Sequence, residues 1–165
     1  MNDFHELVQM AAACGAKLVA RKETIAVSES SAGGLINAAL VAVPGASAYY
    51  IGGGVIYTPK SRAVIAAIAK EEMSGMRSAS EPYAQLLARR ARERLGTAWA
   101  LAETGASGPT GNRYGDAAGH ACFAVAGPVE SAITLETGST DREANMFAFA
   151  RRALQLLDDS LGRAP

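Results

Sequence analysis

With 165 residues, 49% of them apolar, the chain is long enough to bury a sizeable core as a single domain (1–165) and too apolar to stay disordered. Its 16 basic and 16 acidic side chains cancel to a net charge of +0, which removes any general electrostatic reason to expect nucleic acid or an anionic membrane as a partner. Two cysteines, Cys14 and Cys122, lie far apart and outside any CxxC pattern, against a disulfide scaffold or a zinc site and in keeping with a cytoplasmic protein. The acidic, amphipathic start and the lack of any run of about 18 apolar residues point to no targeting or membrane segment.

Phe4, Leu7, Val8, Ala11, Leu18 and Val19 recur at helical spacing behind Asn2 or Asp3, either of which can cap, so an amphipathic helix ending near Arg21 opens the chain. Residues 24–28 (TIAVS) have the β-branched and small apolar composition of a short buried strand. After a turn with two glycines, Leu35, Ile36, Ala39, Leu40 and Val43 predict a short helix stopped by Pro44 and Gly45. Residues 48–57 carry strand composition on either side of a triple glycine, which predicts a bulge or a close backbone approach. A helix over 61–69 comes next, with Pro59 just before it.

Ser80 caps a further helix with Pro82 in its first turn. Tyr83, Leu86, Leu87 and Leu95 give it a buried stripe, Gly96 ends it, and the basic run at 89–94 is its solvated face. Residues 98–104 read as a buried strand and 105–119 as a long glycine-rich loop, of a length that more often carries function than not. Strands over 120–126 and 131–137 flank Gly127-Pro128 as a hairpin, and Thr140 with Glu143 forms a capping box for a final amphipathic helix reaching Leu161. This order predicts a three-layer α/β/α sandwich with a mixed, partly parallel sheet.

In such a sheet a site gathers at the carboxyl ends of parallel strands, here the turn at 29–34 (ESSAGG) and the loop opening TGASGP at 104–109. In the turn, Glu29, Ser30 and Ser31 stand beside N–H groups at the positive end of a helix. A serine there can be a nucleophile facing ready-made oxyanion donors, or Ser30 or Ser31 can simply cap the helix. Small residues at 104–109 let backbone N–H groups approach a ligand. GASGP at 105–109 is not a nucleophile elbow, and neither a P-loop nor a GxGxxG fingerprint is present. Of the two histidines, His5 and His120, the latter starts a strand and is expected to be a satisfied structural residue.

ESSAGG at 29–34, PGASAY at 44–49, GGVIY at 53–57, Ser80-Glu81 and TGxxGP at 104–109, in this order, resemble the CinA C-terminal domain family of competence/damage-inducible proteins over nearly the whole chain. The resemblance implies an α/β sandwich, commonly a homodimer. It also implies hydrolysis of the carboxamide of nicotinamide mononucleotide to nicotinate mononucleotide and ammonia, a step of NAD salvage, with no metal or organic cofactor. The partner so implied is a small amide or mononucleotide. The family's serine nucleophile, from an E-S-C-T-G-G motif, falls on Ser30, its tyrosine on Tyr57 and its lysine position on Arg62. Substrate contacts fall on Glu29, Ser31, Gly33, Gly34, Gly53, Thr104, Gly105 and Gly108.

Arg62 is a departure with chemical weight. A serine hydroxyl needs a group to take its proton, and lysine can do so once burial lowers its pKa. A neutral side chain at pH 7 costs about 4.6 kcal/mol for a lysine and about 9 kcal/mol for an arginine, whose reference pKa lies far higher. Tyr57 as a relay and Lys60, two residues earlier, are the remaining candidates. Alternatively, Ser30, Tyr57 and Arg62 bind a nucleotide or other small anion without hydrolysis, through the arginine's bidentate fork. Ala32 replaces the threonine of the family motif, and 110–118 lacks the family's D-G-G and K-P-V-G pieces.

Overall fold

A computed structural model describes residues 3–165. Asn2, one of the two expected caps of the first helix, lies outside them, and Asp3 falls within the helix itself. Five strands, β1 (Ile25–Glu29), β2 (Tyr50–Val55), β3 (Trp99–Ala106), β4 (His120–Ala126) and β5 (Ser131–Glu136), form one sheet in the order β2-β1-β3-β4-β5. β2, β1 and β3 are mutually parallel, and β4 and β5 complete the sheet antiparallel. Helices α1 (Asp3–Arg21), α2 (Leu35–Ala42) and α5 (Arg142–Arg163) pack together on one face; α4 (Glu81–Leu95) covers the other, and the short α3 (Pro59–Val64) lies in the connection from β2 to α4. The α/β architecture with a mixed sheet is the one the sequence predicts.

β1 explains why the layers form. It pairs on both edges and all five of its residues are buried, the condition of a strand covered on both faces. Alternate residues then feed two cores. Ile25, Val27, Leu101 and Phe123 point to α1, α2 and α5, where Phe149 meets Phe123 edge-on at 6.3 Å between ring centroids. Ala26, Ala100, Ala102 and Ala124 point the other way, and this small-residue face takes Tyr83, Ala84 and Leu87 of α4.

Several boundaries differ from those expected. β1 runs one residue further than predicted, with Glu29 paired to Val55. The helix expected over 61–69 begins at Pro59 and ends at Val64; the backbone then turns at Ala67 (φ 52°) into a 3-10 turn at Lys70–Met73. The basic run at 89–94 supplies the reason, because Arg94 and Arg90 donate to the carbonyls of Ile65 and Ala67. Arg90 also pairs with Glu72, Arg89 with Glu130 at 2.6 Å, and Arg92 Nε donates to the Ala98 carbonyl at 2.9 Å. The run is a largely exposed face, as expected, whose arginines also strap neighbouring segments, and Leu95 is 43% exposed rather than buried. Asp141, not the Thr140 and Glu143 pair, caps α5 by accepting from Ala144 N at 3.0 Å.

The triple glycine of β2 shows both predicted effects. Register slips between Ile25 and Ala26, leaving Ile51 as an extra residue opposite β1. At Gly53 a Cβ would lie 2.1 Å from the Val27 carbonyl oxygen and 2.2 Å from Asn37 Oδ1. Gly53→Ala is expected to lower stability by about 1–3 kcal/mol in urea unfolding. Gly52→Ala, whose Cβ would meet Leu95 Cδ1 at 3.7 Å, is expected to stay within about 0.5 kcal/mol of wild type. Equal losses from the two variants would contradict the close approach.

Candidate active site

β1 and β3 lie side by side and parallel, Ser28 opposite Ala102, so their carboxyl ends deliver the 30–34 turn and the start of the glycine-rich loop to one place. A carboxylate fastens the two. Glu103, fully buried near the end of β3, accepts from Ser30 N and Ala32 N, each at 2.9 Å, and from the Ser31 hydroxyl. Glu29, also fully buried, accepts from Gly34 N at 2.7 Å, from Asn37 N at 2.8 Å and from Asn37 Nδ2 at 2.7 Å. The positive end of α2 is thus met by the strand that precedes it, and neither serine caps the helix. Burial raises both carboxyl pKa values against the lowering effect of these bonds. For Glu103, where the Glu29 charge adds to the rise, the result is about 7.

Ser30 lines a cavity of about 290 Å³ together with Tyr57, Arg62, Ser78, Tyr83 and Thr104. A second cavity, of about 220 Å³, adjoins it; Tyr57 and Gly105 belong to both, and Ser31, Ser107, Gly108, Asn112 and Arg142 line the second. Gly105 admits no side chain, since a Cβ would sit 2.5 Å from the His120 carbonyl oxygen. Arg62 donates to Ser78 Oγ at 3.3 Å, and its guanidinium carbon stands 5.6 Å from the centre of the Tyr83 ring. Arg142, the first residue of α5, donates to Tyr57 Oη at 2.9 Å and to the Gly108 carbonyl. Because the Tyr57 oxygen accepts from Arg142, its own hydrogen is left for the cavity. Ser107 Oγ is buried and has no hydrogen-bond partner among the described residues.

Behind the cavities one ring holds both walls. Ala79, next to Ser78, donates to Thr104 Oγ1 at 3.1 Å and accepts from His120 Nε2 at 2.7 Å. His120 Nδ1 pairs with Glu136, and Asp116 Oδ2 stands 3.6 Å from Nε2. Asp116 in turn accepts from Asn112 Nδ2 at 2.8 Å and from Arg77 Nη2 at 3.0 Å. Burial pushes the His120 pKa down, but the bonds to Glu136 and Ala79 and the Asp116 charge outweigh it and raise it. His120 is the satisfied structural histidine expected.

Of the residues picked from the sequence, Ser30, Ser31, Tyr57, Arg62, Thr104, Gly105 and Gly108 come together on the two cavities. Glu29 lies beneath the turn, with its oxygens taken. Gly33 and Gly34 shape the turn with φ of 70° and 104°, Gly33 facing Met146. Gly53 lines a separate cavity of about 370 Å³, and Lys60 is exposed and lines neither of the two at Ser30. In the 30–34 turn most N–H groups expected as oxyanion donors are occupied: those of Ser30 and Ala32 by Glu103, that of Gly34 by Glu29, and that of Gly33 by the Ser30 carbonyl at 3.0 Å.

Sequence reasoning missed Glu103, Arg142, Ser78 and Asn112, and assigned Tyr83 to the core alone. Glu103 did leave a signal, an acidic residue inside an otherwise apolar buried strand. Arg142 left another, a cation in the first turn of a helix, where the dipole disfavours it. Ser78 left none. Among the described residues no group of three or more His, Cys, Asp and Glu side chains is arranged to hold a metal, and no helix is long and apolar enough to cross a membrane.

Residues 7–161 match the family described as CinA C-terminal domain. The chain is 37% identical over 131 residues to a CinA-like protein of Gloeobacter violaceus, covering 79% of this chain and 31% of that protein. It is 37% identical over 144 residues to a CinA-like protein of Anaeromyxobacter sp. strain K, covering 86% and 35%. The chain thus spans about a third of the length of these curated relatives. The crystal structure of the competence damage-inducible protein A from Klebsiella pneumoniae superimposes with a TM-score of 0.87 at 26% identity, over 98% of this chain and 99% of that one.

The raised pKa of Glu103 carries a stability signature. A carboxyl whose folded-state pKa is raised favours the fold fully below its unfolded value, near 4.5, and loses that contribution as pH rises through about 7. Glu103→Gln removes the titration, so its stability relative to wild type is expected to rise by on the order of 3 kcal/mol between pH 4.5 and pH 8. Urea midpoints at each pH measure this, and a pH-independent difference would exclude the raised carboxyl.

Proposed function

The chain belongs to the CinA C-terminal domain family, and from that premise we propose that it is an amide hydrolase of the nicotinamide mononucleotide deamidase type, with Ser30 as nucleophile. The observation that carries the reading is the placement of Ser30: it caps nothing, and it lines a cavity shared with Tyr57 and Arg62. Tyr57 and Tyr83 give that cavity flat apolar walls suited to an aromatic carboxamide. Arg142 and Asn112 give the adjoining cavity donors suited to a phosphate.

Ser30 Oγ attacks the carboxamide carbon, and negative charge develops on the carbonyl oxygen. The Tyr57 hydroxyl, oriented by Arg142, donates to that oxygen, and the Arg62 guanidinium offsets its charge. Collapse expels ammonia and leaves an acyl-serine, which water hydrolyses to nicotinate mononucleotide. The same family membership supports a homodimer, a cytoplasmic setting and a place in NAD salvage as parts of this reading. Arg62 favours a second one. Engaged with Ser78 and Tyr83, its guanidinium is a donor fork, and on that basis the chain binds a nucleotide or other small anion without hydrolysing it.

Purified protein incubated with nicotinamide mononucleotide is expected to release ammonia, and Ser30→Ala to lower kcat by about 10³-fold or more. No turnover above that of Ser30→Ala rejects hydrolysis; retained binding of nicotinate mononucleotide by calorimetry would then select the second reading. Arg142→Met is expected to raise KM about tenfold or more. An unchanged KM would remove Arg142 from the phosphate end of the site.

A further inference from the structure

The cavity side chains beside Ser30 supply no proton acceptor. Arg62 only donates, and the Tyr57 oxygen already accepts from Arg142. Lys60 is exposed and lines neither cavity, and both ring nitrogens of His120 are engaged, with Ala79 and Glu136. The group that can take a proton lies under the turn. Glu103 uses Oε2 for the backbone N–H groups of Ser30 and Ala32 and Oε1 for the Ser31 hydroxyl. Ser31 lines the second cavity and Ser30, the residue before it, the first; the two cavities share Tyr57 and Gly105, and the Ser31 hydroxyl is already bonded to Glu103.

We propose that Glu103 is the proton acceptor for Ser30 and that the Ser31 hydroxyl carries the proton between them, an inference that rests on the reading of Ser30 as nucleophile. As Ser30 Oγ bonds to the carbonyl carbon, its proton passes to Ser31 Oγ while the Ser31 proton passes to Glu103 Oε1. The carbonyl π pair moves onto oxygen. When that oxygen re-forms the double bond, the carbon–nitrogen bond breaks, and the proton returns along the same route to the departing nitrogen as ammonia. A water molecule then attacks the acyl-serine, giving its proton to Glu103 by the same path, and Ser30 leaves with that proton restored.

The surroundings of Glu103 suit it to this exchange. The turn and α2 present N–H and O–H donors, β1 presents the Glu29 carboxylate, and the bonds Glu103 accepts come from uncharged groups. Burial and Glu29 lift its pKa, the donors lower it, and the balance at about 7 lets it hold or release a proton near neutrality.

An alkyl fluorophosphonate tests the relay without reference to the natural substrate, since it phosphonylates an activated serine that peptide mass spectrometry then locates. In wild-type protein Ser30 is expected to be labelled at a rate that rises with pH and levels off above about 7. Glu103→Gln and Ser31→Ala are each expected to slow labelling by about 100-fold or more and to abolish the midpoint, with circular dichroism confirming that each is folded. Ser31→Ala leaves the carboxylate in place and decides the matter if Glu103→Gln does not fold. A wild-type rate and midpoint in either folded variant overturns the relay, as does a wild-type Ser30 that is unlabelled at every pH. Labelling as expected without hydrolysis of nicotinamide mononucleotide supports the relay and rejects the substrate.

Discussion

A carboxylate buried at the end of β3 and held by three donors of the neighbouring turn is the constraint on which the site depends. Glu103 ties the chain leaving β1 to the end of β3, while Glu29 and the positive φ of Gly33 and Gly34 shape the turn into α2. Through Glu103, two parallel strands that share only backbone bonds along their length are locked at their tips as well. The lock is costly, because a carboxyl removed from water is raised in pKa, and the fold retains it where a neutral amide would serve as a tether.

The second carboxylate refines the picture of helix-end recognition. In an open strand-to-helix turn the N–H groups await a ligand's anion. Here Glu29 fills that role for α2, and Glu103 takes most of what remains. The cations that face the cavities are instead side chains, Arg62 from α3 and Arg142 from the start of α5. These two guanidiniums come from chain segments about 80 residues apart. The cleft exists only because β2, β3 and α5 all direct an end to the same edge of the sheet.

The fold was legible because its local signals agree with its global arrangement. TIAVS reads as a doubly covered strand, Ser80 with Pro82 reads as a helix start, Gly96 as a stop, and each is so in the structure. Local reading failed where a distant group decides. The shortening of α3 is imposed by Arg90 and Arg94, whose reach across to Ile65 and Ala67 has no local trace. At the site, Ser30, Tyr57 and Thr104 were found because motif order placed them, while Ser78 reaches the cavity only through the left-handed backbone of Ala79 (φ 54°), a geometry no composition announces. Glu29 and Gly53 do not line the two cavities at Ser30, for a related reason. Both stand in conspicuous motifs, but one faces inward under the helix and the other backs onto Asn37.

The imidazole of His120 has a mechanical meaning. Its Nε2 touches the Ala79 carbonyl, which carries the Ser78 side of the first cavity, and stands near Asp116, which carries Asn112 on the rim of the second. One aromatic ring is therefore the hinge pin of both jaws of the cleft. Any displacement on the Asn112 side is tied, through Asp116, His120 and Ala79, to the ledge that seats Arg62.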